Sequence, residues 1–199
     1  MYLMRLIPKV HYFYKIAKKE FVKKLLTILI VLFVIVQPAF TPADQGPKVD
    51  TNAKIKAIFL YNFTKYIQWP ADYQTGDFTI AILGDNTSLY NELSNMSKVK
   101  KVGTQAFTIK LIDDASEIGK SHIVYIPKDN NAVVSKALST VKGKSTLVVT
   151  ESPGYAQRGA TINFTITGGQ QKFELNKLTA QQHNLNVSST LESKAVLVN

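Results

Sequence analysis

The sequence predicts an α/β domain with a mainly parallel central sheet flanked by helices and a C-terminal antiparallel β-hairpin. Three observations predict it. Four apolar, strand-like runs (78–84, 106–112, 122–127 and 146–152) are separated by stretches of helical patterning, which calls for crossover connections between parallel strands. Gly168-Gly169 then joins two alternating runs, INFTIT and QQKFELN, and a two-residue glycine loop in that setting is a strong hairpin signal. Finally, 199 residues at 45% apolar and 19% charged suit one domain of ordinary size with a leader, and exclude disordered and fibrous classes.

The leader comes first in the chain. Residues 5–24 are basic, residues 25–36 (LLTILIVLFVIV) carry no charge, and Thr41 and Ala43 supply small residues at −3 and −1. These are the three parts of a secretory signal. The apolar run is short of the roughly 20 residues that span a bilayer. Residues 1–43 therefore read as a secretory signal with the mature chain starting near Asp44, or as an uncleaved N-terminal anchor. Either way the rest of the chain faces the far side of the membrane. With no cysteine and 22 Lys against 2 Arg, a bacterial periplasmic protein is the simplest reading. The net charge of +10 also belongs mainly to this segment, which carries +6 and leaves +4 for the remainder. Nucleic-acid binding is therefore not expected.

Residues 44–52 form a polar Gly/Pro linker, and 53–199 form the domain. KIKAIFLYNFTKYIQWP (54–70) reads as an amphipathic helix ended by Pro70. At 100° per residue, Ile55, Ile58, Phe59, Phe63, Tyr66 and Trp69 share one arc. Asn62 lies near the middle of that arc and is expected to be buried and hydrogen-bonded. The strand ending at Gly84 is followed by cap candidates Asp85 to Ser88 and a helix through about Met96. After the strand 106–112 come a short helix near Ala115–Ile118, the strand 122–127, a helix over 130–143 closed by Gly143, and the strand 146–152. In the hairpin, paired positions sum to 337. This sets Phe164 opposite Phe173 and Ile162 opposite Leu175 on an apolar face, with Asn163–Glu174 and Thr165–Lys172 on a polar one that looks to solvent or to a partner. A helix-like NKLTAQQHN follows, then NVSST and LESKAVLV, where Ser189 and Glu192 have capping-box spacing.

The chemistry the sequence omits is as informative. Without cysteine there are no disulfides, thiolate zinc sites or cysteine nucleophiles. The two Gly-Lys-Ser triplets, 119–121 and 143–145, have Asp114 and Leu138 where a phosphate loop needs its first glycine, and both lead into strands. No dinucleotide fingerprint, nucleophile elbow or zinc-helix motif occurs. His11, His122 and His183 have no ligand at metal-binding spacing, so no metal and no cofactor is expected. Asp113-Asp114 stands at a strand end, where open sheets form ligand crevices, but the pair also suits a helix cap. Asn62 and Asn176 are expected to satisfy buried backbone groups.

Two blocks carry a family resemblance. KIKAIFLYNFTKYIQWP resembles the opening signature of the YfiR/HmsC-like family of bacterial periplasmic regulators, K-A-x-F-L-Y-N-F-x-K-[FY]-x-x-W-P. GATINFTI, KFELN and NVSSTL resemble its second block in order and spacing, so the resemblance covers roughly 53–195. It implies a periplasmic protein without catalytic activity that binds and represses the periplasmic domain of an inner-membrane signalling enzyme, often a diguanylate cyclase. It also implies homodimers in many members.

Candidate partner-binding residues are Tyr61, which lies with Lys65 and Gln68 on the polar side of the first helix, Lys65 itself, and Arg158. Arg158 is the only arginine outside the leader, in a Gly-flanked loop, and suits a partner carboxylate. The other aromatics of that helix read as core. A periplasmic small-ligand-binding module is the alternative, and an enzyme of unrecognised type is a third.

Overall fold

The computed structural model describes residues 50–199 together with Lys18, Lys19, Phe21, Lys23 and Lys24, which are helical and exposed. The apolar run 25–36, His11, and the exit at Thr41 and Ala43 lie outside the described residues. The chain divides into two compact units, Met1–Lys48 and Val49–Asn199, and all that follows concerns the second. Among the described residues no helix is long and apolar enough to cross a membrane.

Helix α1 (Thr51–Tyr66) starts at Asp50, whose carboxylate accepts from the amides of Asn52 and Ala53 at 3.1 Å each. It buries Ala53, Ala57, Leu60 and Phe63. This corrects the expected face. Ile55 and Ile58 are exposed, and Asn62 is only half-buried, its amide oxygen accepting from Lys65 Nζ at 3.2 Å. The physical reason is that Ile58–Tyr61 is apolar all round, so period alone does not single out a face. The sheet takes the side where two alanines permit close approach. The helix also stops short of Pro70. Ile67–Gln68 (β1) is extended and pairs antiparallel with Asn186–Val187 (β9), so Trp69 is buried on extended chain rather than on the helix.

The remaining elements are β2 (Phe78–Leu83), α2 (Thr87–Ser97), β3 (Lys101–Val102), β4 (Gln105–Ile112), β5 (Ile123–Ile126), α3 (Val134–Thr140), β6 (Leu147–Thr150), β7 (Ile162–Thr167), β8 (Gln170–Asn176), α4 (Lys177–Gln182), α5 (Ser189–Glu192) and β10 (Val196–Val198). Eight strands form one sheet in the order β10-β8-β7-β6-β5-β2-β4-β3. The run β7-β6-β5-β2-β4 is parallel throughout. The two antiparallel pairs are β7–β8 and β3–β4. The β7–β8 register is the expected one, Phe164 opposite Phe173 and Ile162 opposite Leu175. Gly168 and Gly169 both have positive φ, 58° and 73°, which a two-residue turn of matching twist requires.

Local differences have local causes. The helix expected over 130–143 is a 3₁₀ stretch, Lys128–Val133, that kinks at Asn130 before α3 begins. The cap of α5 is Ser188, not Ser189, and Glu192 bonds Lys177 instead of closing a capping box. LESKAVLV ends in β10, parallel to β8, which the pattern did not announce.

Alternation along the strands builds a core on each face of the sheet. Phe78, Ile80, Ile82, Ile123, Tyr125, Leu147 and Val149 point toward α1, whose Leu60 and Phe63 join them with Phe164 and Phe173. Ala81, Leu83, Val124, Ile126 and Val148 point the other way, toward Val134, Ala137 and Ala160.

Candidate functional site

Two surfaces arise where α1 meets the sheet. The first is the outward face of α1 itself. Because Ala53, Ala57 and Leu60 face the sheet, the opposite side presents Ile55 and Ile58, 37% and 45% exposed. Phe59 joins this face to the core, its ring centroid 5.8 Å from Phe164 and 5.9 Å from Phe173. Beside it a groove of about 410 Å³ runs between Phe59, Asn62 and Tyr66 on α1 and Lys172 and Phe173 on β8. At the far end of the hairpin Ile166 is 72% exposed.

The second surface is a crevice of about 520 Å³ beyond the carboxyl ends of β5 and β6, where open parallel sheets gather ligands. Its floor is a polar network. The Tyr125 hydroxyl donates to Glu151 Oε1, and Lys56 Nζ of α1 meets the same oxygen at 2.5 Å. Both Lys56 and Glu151 side chains are only 13% exposed. Burial, then the charge of Glu151, pushes the Tyr125 hydroxyl far above its ordinary range, so it stays protonated. Beside it the Thr150 hydroxyl donates to Asn163 Oδ1 at 2.8 Å, and Asn163 Nδ2 donates to Glu174 at 2.9 Å. Asn163 is buried, so the base of the hairpin's polar face, expected to look to solvent or to a partner, is closed within the domain, while Thr165 and Lys172 remain accessible. The network joins α1 to the end of β6 and neutralises Glu151. It sets no activated nucleophile beside a base. Lys56, Tyr125 and Glu151 were not singled out from the sequence. The only hint was a tyrosine within the apolar run HIVYIP, with an acid just past the next strand.

Tyr61 is half-buried. Its ring packs 5.8 Å from Phe107, its hydroxyl donates to the Lys101 carbonyl oxygen at 3.1 Å, and Lys65 Nζ lies 4.8 Å over the ring. Arg158 is exposed, with its guanidinium 5.4 Å from the Tyr155 ring. Tyr155 packs on the core opposite α1. The structure therefore brings Tyr61 and Lys65 together and leaves Arg158 on the other face of the sheet.

The other singled-out groups have structural partners. Asp114 caps a 3₁₀ turn, Ala115–Ile118, through a capping box with Glu117, and meets Lys136 at 2.6 Å. That bond, with those from Ser116, holds its carboxyl well below the usual range. His122 is buried, and its Nδ1 accepts from the Thr79 amide at 3.1 Å. Nε2 therefore carries the proton and donates to the Tyr73 carbonyl at 2.7 Å. His183 donates through Nδ1 to the Lys144 carbonyl at 2.6 Å. Asn176 donates to the Ala156 carbonyl and caps α4 by accepting from Thr179, as expected. Among the described residues no group of three or more His, Asp or Glu could hold a metal ion.

No curated protein matches the chain. A family model described as YfiR/HmsC-like matches residues 53–195, which runs from the first turn of α1 through α5.

Proposed function

The chain belongs to the YfiR/HmsC-like family of periplasmic regulators of diguanylate cyclase signalling, a family generally without catalytic activity, and from that premise we propose that it binds and represses the periplasmic domain of an inner-membrane signalling enzyme of the diguanylate cyclase type. Repression of this kind requires unequal affinity for two conformations of the receptor. The observation that carries the reading is the outward face of α1. The helix that holds the family signature buries its alanine side and presents Ile55 and Ile58 to solvent next to the Phe59 groove. Exposed isoleucines aligned on a helix are what an apolar partner groove recognises.

Lys65 and Tyr61 of the same helix are proposed partner contacts, with Arg158 as a separate one on the opposite face of the sheet. Residues 1–43 are proposed as the export signal or anchor that delivers the domain. The test is capture of the domain from crosslinked membranes, together with cyclic-di-GMP levels in a deletion strain. Deletion should raise cyclic-di-GMP, and Ile58→Asp should mimic deletion without changing stability by more than about 0.5 kcal/mol. Unchanged second-messenger levels in the deletion strain would sink the repressor reading. A thermal shift with a small molecule and no membrane partner would favour a ligand-binding module, for which the crevice at Glu151 supplies the volume.

A further inference from the structure

The turn between α2 and β3 adjoins α1 at its Tyr61–Lys65 edge. It reads Lys98-Val99-Lys100-Lys101, all four exposed, with Val99 at 79%. It is pinned to α1 because the Tyr61 hydroxyl bonds the Lys101 carbonyl, and Lys65 lies over the same ring. Four ammonium groups thus share one corner. Three lysines elsewhere in the domain meet carboxylates, Lys56 with Glu151, Lys136 with Asp114 and Lys177 with Glu192, and two more, Lys120 and Lys144, donate to backbone carbonyls. At this corner the partners are amides, Asn62 for Lys65 and Asn95 for Lys98 at 3.0 Å. Among the described residues no carboxylate forms an ion pair with any of the four. The carboxylate nearest in sequence, Glu92, lies well over a turn up α2. The turn lines neither the groove at Phe59 nor the crevice at Glu151.

We propose that this corner is a membrane-contact surface that rests on anionic phospholipid headgroups. Clustered, unmatched ammonium groups around one apolar tip suit a flat and laterally mobile anionic surface. A specific acidic peptide would call for pockets to seat its side chains, and the turn lines neither cavity. Val99 enters the headgroup boundary while the lysine stems lie along it and keep their charges at the phosphates. The contact would hold the domain where a membrane-bound partner is met. It does not depend on the repressor reading, because lipid alone is the ligand.

The experiment uses the unit Val49–Asn199, which contains both cores in full and lacks the basic leader. It is sedimented with vesicles of phosphatidylglycerol and phosphatidylcholine, and with phosphatidylcholine alone. Binding is expected to the first only, and to weaken as salt rises. At about fivefold per lysine, the triple change Lys98→Gln, Lys100→Gln and Lys101→Gln should weaken binding roughly a hundredfold. Its thermal midpoint should match the parent. If it does not, Lys100→Gln alone carries the test with a roughly fivefold loss. No sedimentation with the anionic vesicles, equal binding to both compositions, or binding that the lysine variants retain overturns the proposal. Loss of membrane-partner capture by the triple variant without any vesicle binding also overturns it, and assigns the corner to an acidic protein surface.

Discussion

His122 shows how a residue that looks like a ligand can be a structural post. It sits among Trp69, Tyr73 and Phe78, with its ring stacked 4.1 Å from Phe78, and both nitrogens are committed to backbone groups. Burial, aided by the charge of Lys120, holds its pKa below the ordinary 6.5. The unfolded chain therefore takes up a proton near 6.5 that the folded chain refuses. Stability from this group is complete above that value and falls as pH drops toward the folded pKa, by up to about 1.4 kcal/mol per pH unit. Urea midpoints measured between about pH 7 and pH 5 should fall for the parent and fall less for His122→Gln. Parallel slopes would mean that His122 does not titrate in this way. The Lys56–Glu151 pair behaves differently because its cost appears only when one partner is missing. Lys56→Met leaves Glu151 poorly compensated and should cost about 1–3 kcal/mol. Adding Glu151→Gln should restore most of it, and a double-mutant cycle measures the coupling. Neither group was legible beforehand, since a salt bridge between positions 56 and 151 exists only through the fold.

The hairpin is the element whose sequence was most explicit. Alternation fixed which side chains share a face, and two glycines fixed the turn, so the pairing could be written residue by residue. The energetics should follow the same register. Phe164→Ala or Phe173→Ala should cost about 3–5 kcal/mol, because each removes a ring packed against Phe59 and Phe63. Thr165→Ala, on the half-exposed side, should cost under about 1 kcal/mol in the same denaturation series. Equal costs at Phe164 and Thr165 would contradict the register. Helix α1 is the contrary case. Its existence was clear from the sequence, but the face was not, because Ile55, Ile58 and Phe59 are as apolar as Leu60 and Phe63. Asn62 was drawn into the core by the same misreading. The helix also yields its last residues to β1, whose partner β9 is more than a hundred positions away.

For the whole molecule, the α/β class, the parallel strand succession, the hairpin register, the charge asymmetry between residues 1–43 and the rest of the chain, and the family blocks were all legible in the chain itself. Each of these depends on patterns within a few residues or on composition, so the chain states them locally. Tertiary structure alone decided which side of α1 is buried. It also decided that Arg158 lies across the sheet from Tyr61 and Lys65, that Glu151 is shared by Tyr125 and Lys56, and that the lysine turn after α2 is pinned to Tyr61 beside Lys65. Those facts depend on which distant segments the sheet order brings together. Side-chain size at the contact then selects among faces of equal hydrophobicity: the sheet accepted Ala53 and Ala57 because only small side chains let the helix lie close, and that choice turned Ile55 and Ile58 outward.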